Sequence, residues 1–345
     1  MILLDAECVL YFHTNSSSAE LPNSTYAGGM IAEAYLQWIH ALMESRTRLI
    51  IIPGAICFLA SLIASPLILL AIFTSSSLCE ESRYLLLSNT LISDFIYLVI
   101  NFCIQLCNIT QLSSPKLVCE LLLFTLTTTS CCGLMTITTM VIDTYLAINW
   151  PLHYITLFPP SRAVRLVILI WIVVAFPQFM ITSVMLITQQ SPFCRLTFCE
   201  VDYIFLIVPH GAILTQLFYG LLIALLLSCV CLLLTCYFML YWKTRNSGIW
   251  SGFSSRARLT FLMHFVVFAF YCCSMLLMVV ERILYNCGTV KFEMAIFITR
   301  TMSNIIMMAP KALAPYFYGM RHRELAKVIK SFFLLKYVNQ VEPIH

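Results

Sequence analysis

The chain has 345 residues, of which 61% are hydrophobic and 10% charged, with a mean hydropathy of +0.90. A soluble domain carries about a quarter charged residues, so this composition excludes an ordinary soluble protein and describes a polytopic membrane protein. The net charge of +4 gives no sign of nucleic-acid binding, and the sixteen cysteines lie mostly inside apolar runs, without the paired CxxC spacing of a zinc site.

Met1 to Leu4 lacks a basic lead and the apolar segment there is short, so the first spanning helix is expected to act as the targeting signal. Residues 1–46 read as an extracellular leader with two glycosylation sequons, Asn15-Ser16-Ser17 and Asn23-Ser24-Thr25. Ala32 to Leu42 has helical periodicity and is open to two readings, a short amphipathic cap or a loosely ordered leader. Seven apolar spans follow, near 47–74, 83–107, 117–149, 163–187, 205–241, 257–284 and 293–318. The expected fold is therefore an all-α membrane protein, a seven-transmembrane helix bundle over 47–318. The third inner loop, Lys243 to Arg258, is among the tightest connections. No internal repeat is evident, which weighs against a transporter built from duplicated halves. With the N-terminus outside, twelve Lys and Arg fall on the inner side and six on the outer, as the positive-inside rule requires. Arg300 and Lys311 stay within the seventh span. Residues 319–345 read as a cytoplasmic tail. Leu325, Val328, Ile329, Phe332 and Phe333 give its first part the stripe of an interfacial helix on the inner leaflet. A solvated basic tail is the alternative.

The third span ends in Asp143-Thr144-Tyr145-Leu146-Ala147-Ile148-Asn149-Trp150-Pro151-Leu152-His153-Tyr154, where Pro151 ends or turns the helix. Asn89-Thr90-Leu91-Ile92-Ser93-Asp94 puts an Asp in mid-span, Trp171 sits midway in the fourth span, and Ala314-Pro315-Tyr316-Phe317-Tyr318 closes the seventh. Together these patterns resemble the rhodopsin-like (class A) G-protein-coupled receptors. In that family an Arg sits where this chain has Thr144, and Asn residues stand where it has Ser65 and Ala314. Within the family, His264-Phe265-Val266-Val267-Phe268-Ala269-Phe270-Tyr271 and Pro310-Lys311-Ala312-Leu313 resemble olfactory-receptor-like orphans and fish odorant receptors of the 131 type. The fifth-helix Pro and the sixth-helix Cys-Trp-x-Pro are absent.

The resemblance implies a disulfide from Cys119 to the second outer loop, which offers Cys194 and Cys199 without deciding between them. It also implies a switch network of Asp94, Lys311, Asp143, Thr144, Tyr145, Pro315 and Tyr318. In the family a sodium ion sits on the second-helix Asp, and the ammonium of Lys311 could take that place. The competing reading has Lys311 snorkelling to the inner face and Asp94 protonated. Thr144 has one hydroxyl and no charge, so it cannot act as an electrostatic latch. Arg162, Arg165, Lys243, Arg245, Arg256 and Arg258 make the inner face basic, whether for a partner or only for topology.

A ligand pocket, if present, belongs between helices 3, 5, 6 and 7 toward the outside. Thr127, Ser130, Arg300 and Asn304 are its candidate polar lining; Arg300 is equally open to pairing with Glu281 or Glu293, and the two hydroxyls to ordinary helix packing. Leu126 stands where receptors for amines carry an Asp. Asn108-Ile109-Thr110 is a third sequon, set close to the membrane. No nucleophile–base set or metal cluster suggests an enzyme, and no cofactor or metal is expected. The implied partners are a small-molecule or peptide ligand, a heterotrimeric G protein and membrane lipids, at the plasma membrane. A receptor that keeps the fold and does not couple is the alternative, because of Thr144. A transporter or channel would need a polar path that the spans lack.

Overall fold

The computed structural model describes residues 51–110, 112–150, 152–188, 195–196, 199–201, 204–205, 211–246, 262, 265–273, 276–277, 280 and 292–321. Its elements in chain order are α1 (Ile51–Thr74), α2 (Ser76–Cys79), α3 (Ser82–Thr110), β1 (Ser114–Pro115), α4 (Lys116–Asn149), α5 (Tyr154–Leu157), α6 (Pro160–Thr188), β2 (Arg195–Leu196), α7 (Gly211–Asn246) and α8 (Phe292–Arg321). Residues 265–273 are helical between α7 and α8. The leader with Asn15 and Asn23, Pro151, Cys194, most of the third inner loop and the tail beyond Arg321 lie outside the described residues.

Hydrocarbon offers no partner for backbone N–H and C=O groups, so each apolar run satisfies its own ladder as a helix. α1, α3, α4, α6 and α7 are each long and apolar enough to cross a bilayer. The 34 residues of α4 reach about 51 Å at 1.5 Å per residue. With segment 265–273 and α8 they make the seven-helix bundle of a multi-pass membrane protein. Pro66, Pro177, Pro310 and Pro315 lie inside helices, where bundle neighbours can satisfy the freed carbonyls.

Several boundaries differ from the expected spans: α3 runs Ser82–Thr110 rather than 83–107 and α6 Pro160–Thr188 rather than 163–187. α7 runs on to Asn246, so Lys243 to Asn246 belong to the helix rather than to the third inner loop; after Gly220 no Gly or Pro occurs until Gly248. α8 continues past Tyr318 to Arg321, through Gly319.

α4 is the central helix. It packs against α3, α6 and α7, while α1 packs against α3 and α8. Cys132, Leu134 and Ile137 of α4 are fully buried. The lipid-side residues of α6, such as Ile168, Ile172, Phe176 and Phe179, are exposed from the protein. α4 is rich in threonine, yet Thr125, Thr127, Thr129, Thr136, Thr138, Thr139 and Thr144 each donate to the carbonyl four residues back. Those hydroxyls are spent within the helix and leave it compatible with an apolar setting.

Candidate functional site

In mid-bundle, α3 presents Asp94 and α8 presents Lys311, both almost wholly buried. The Lys311 Nζ lies 3.2 Å from Asp94 Oδ1. The Tyr271 hydroxyl, from segment 265–273, donates to the same oxygen. Oδ2 of Asp94 has no hydrogen-bond partner among the described residues. The ammonium also sits 4.0 Å from the Tyr271 ring centroid and 4.6 Å from that of Tyr97, so two aromatic faces and one carboxylate enclose it.

Gly133 of α4 makes this arrangement possible. A Cβ there would lie 3.0 Å from Tyr271 Cε1, 3.1 Å from its hydroxyl and 3.2 Å from Asp94 Oδ1. Only a residue without a side chain leaves room for the three groups to meet. One carboxylate thus joins α3, segment 265–273 and α8 against the face of α4.

The polar groups continue along α3. Asn101 Nδ2 donates to the Tyr97 hydroxyl at 3.3 Å, and Gln105 donates to Asn101 at 2.8 Å. On the other side of Asp94, Asn89 donates to Thr136 and accepts from Trp171, each at 2.8 Å, tying α3 to α4 and α6. Ser65 bonds Ser61 in its own helix at 2.8 Å. Ala314 and Tyr318 of α8 are buried in an apolar cluster with Ile68, Ala71 and Ile72 of α1. Tyr316 reaches across to the Ala60 carbonyl at 2.7 Å.

At the far end of α4, Asp143 is buried and its Oδ1 accepts from the Tyr154 hydroxyl of α5 at 2.7 Å. Burial, and then the Asp143 carboxylate beside it, push the Tyr154 phenol above its ordinary range, so it stays protonated as the donor. Thr144 turns its hydroxyl to the Met140 carbonyl at 2.8 Å. Ser82 holds the same corner by donating to the Phe158 carbonyl at 2.8 Å. Tyr145 stacks edge-on to Trp150, with centroids 6.0 Å apart.

At the opposite end, Cys119 of α4 is bonded to Cys199, and the β1–β2 pair adds Ser114↔Leu196 and Pro115↔Arg195 in antiparallel register. Asn108 clamps the Cys199 backbone, accepting from its N–H at 2.8 Å and donating to its carbonyl at 3.2 Å. Beside the bridge, a small cleft opens between α4, α6, the segment after Cys199 and α7. Thr127 lines it together with Glu120, Gln178 and Thr182; Ser130 is buried but does not line it. Leu126 packs instead on the apolar cluster of Tyr97, Leu98, Met308 and Ala312. Arg300 and Asn304 fall on α8, with side chains outside the described residues.

Several of these residues escaped the sequence reading. Tyr271 appeared only as part of a motif, and Tyr97, Gly133 and Glu120 not at all. A glycine after two cysteines in mid-span, Cys131-Cys132-Gly133, was the available signal for close approach.

A family model described as 7 transmembrane receptor (rhodopsin family) matches residues 64–318. The chain is 27% identical over 286 residues to the Homo sapiens "Probable G-protein coupled receptor 148", covering 81% of each chain. It is also 29% identical over 157 residues to the Mus musculus "Olfactory receptor 1E16", covering 45% of this chain and 46% of that one.

Proposed function

The chain belongs to the rhodopsin family of seven-transmembrane receptors, and from that premise we propose that it binds an odorant-like small molecule from outside the cell and signals to a heterotrimeric G protein. The observation that carries the proposal is the buried Asp94–Tyr271–Lys311 cluster. A charged group in mid-membrane is costly, and its position there is explained by work. This one links three helices through a single oxygen, so a ligand that shifts any of them must redistribute the same bonds. The output is a helix rearrangement rather than covalent chemistry. The protein lies in the plasma membrane with residues 1–46 outside and the tail from 319 inside, where Arg162, Arg165, Lys243 and Arg245 form a basic face.

A second reading is favoured by the Asp143 end. Thr144 bonds its own helix and Asp143 accepts from Tyr154 of α5, so among the described residues no salt bridge joins this end of α4 to a neighbouring helix, although Arg83 of α3 is near enough to act on Asp143 through charge. The receptor would then keep its ligand site and serve as a decoy, scavenger or heteromer partner. Basal and ligand-driven nucleotide exchange, measured for wild type and Thr144→Arg after confirming surface expression, separates the two. A wild type that stimulates exchange supports coupling. If exchange appears only in Thr144→Arg, or in neither protein, the wild type does not couple and the second reading stands.

A further inference from the structure

The first turns of α6 carry two arginines that the switch network does not use. Arg162 and Arg165 lie one turn apart and are both exposed. The Arg162 Nη1 donates to the Leu157 carbonyl at 2.8 Å, which fixes that guanidinium at the corner between α5 and α6. Arg165 makes no ion pair or hydrogen bond among the described residues. No acid on the same stretch answers either charge, since the chain has no Asp or Glu from Thr144 to Phe198. Glu81, next to the Ser82 that bonds the Phe158 carbonyl, pairs instead with Arg83 at 2.6 Å, and Asp143 accepts from Tyr154.

Toward the bilayer centre the same face of α6 is apolar. Ile172 and Phe176 follow Arg165 within about 20° of one line along the helix, at 3.6 residues per turn. Ile168, Leu169 and Phe179 flank them, and all five side chains are exposed from the protein. From Arg165 to Phe176 the helix rises about 16 Å, close to the roughly 15 Å of one hydrocarbon leaflet. Leu157 adds exposed apolar surface beside Arg162. A free anion has no use for such a stripe, whereas a lipid presents a charged head and an apolar chain with this spacing. The guanidinium fork matches phosphate oxygens and is weakly hydrated, so it suits a headgroup at the membrane surface. The backbone does not compete for the phosphate: the N–H groups of Arg162 and Ala163 both donate to the Pro159 carbonyl.

We infer that this face is a binding site for one anionic phospholipid, its phosphate held between Arg162 and Arg165 and its acyl chain laid along Leu169, Ile172 and Phe176. The inference goes beyond the receptor reading and takes from it only the side of the membrane, the inner leaflet that carries anionic lipid. Bound there, the lipid braces α6 against the α5 corner, because Arg162 joins the phosphate to the Leu157 carbonyl.

The test uses detergent solution, which has no sidedness and no G protein, so its failure leaves the receptor reading untouched. Full-length receptor in neutral detergent is melted with dioctanoyl phosphatidylserine, dioctanoyl phosphatidylcholine or glycerophosphoserine, the last being a headgroup without chains. The serine lipid is expected to raise the unfolding midpoint in a saturable way, with half-saturation about thirtyfold below that of the choline lipid, the joint effect of two arginines. Glycerophosphoserine is expected to do nothing. Arg162→Gln/Arg165→Gln should erase the preference, and Arg83→Gln, which removes an arginine already paired with Glu81, should keep it. If the double variant does not fold, Arg165→Gln alone decides, with an expected loss of about fivefold in preference. The inference is overturned if the wild type shows no preference, or if the preference survives in the deciding variant. Equal loss in Arg83→Gln would mean diffuse attraction, and an equal shift from glycerophosphoserine would mean an anion site without lipid; either result also overturns it.

Discussion

Replacing Lys311 with Met removes the charge and keeps most of the volume, so its effect isolates the ion pair. At 3.2 Å two unit charges attract by about 5 kcal/mol for an effective dielectric constant near 20. With Asp94 left buried at 1% exposure, losing its partner costs about 3–5 kcal/mol. In a chain of this size that is a fall in melting midpoint of about 4–7 °C. The triple variant Asp94→Leu/Tyr271→Phe/Lys311→Met removes the carboxylate and both of its donors together. It is expected to recover most of the loss, since an apolar replacement of a whole buried pair is neutral or stabilising by about 1–4 kcal/mol. The assay is thermal unfolding of the detergent-purified receptor, read through the exposure of buried thiols such as Cys131 and Cys132. If Lys311→Met melts within about 1 °C of wild type, or the triple variant is no better than the single one, the ion-pair argument is wrong and Asp94 is neutral.

Gly133→Ala should lower stability by about 1–3 kcal/mol, because a methyl group 3.0 Å from Tyr271 forces the ring or Asp94 to move; an unchanged melting midpoint would show that the cluster has slack. Cys199→Ser should cost about 4 kcal/mol, since it opens a bridge spanning 80 residues of sequence. Cys194→Ser should leave that bridge intact in a non-reducing peptide map. Asn108 should carry no glycan despite its sequon, because both ends of its amide are bonded to the Cys199 backbone; a mobility shift on glycosidase treatment that Asn108→Gln abolishes would contradict this. Tyr154→Phe should cost about 1–3 kcal/mol by leaving the buried Asp143 carboxylate short of a donor, measured by the same unfolding assay.

The amino-acid sequence alone determined that the chain crosses a membrane as a bundle of helices, because apolar runs too long for soluble cores must close their own backbone hydrogen bonds in lipid. It also placed Asp94 and Lys311 at similar depth, since helical rise converts residue number into distance along the bundle axis. It could not say which way a side chain turns around that axis. The sequence therefore left pairing and snorkelling both open for Lys311, and left Cys194 and Cys199 level as partners for Cys119. Rotation and lateral packing decided those points. The gap at Gly133 lets Tyr271 of a distant segment reach Asp94, an approach that hydropathy cannot reveal. The Asn108 clamp on Cys199 sets that cysteine against α4. The cleft at Glu120 exists only because α4, α6 and α7 meet beside the bridge, which sets Glu120 and Thr127 of one helix against Gln178 and Thr182 of another. Depth is written in one dimension; the company each residue keeps at that depth is a property of the folded bundle.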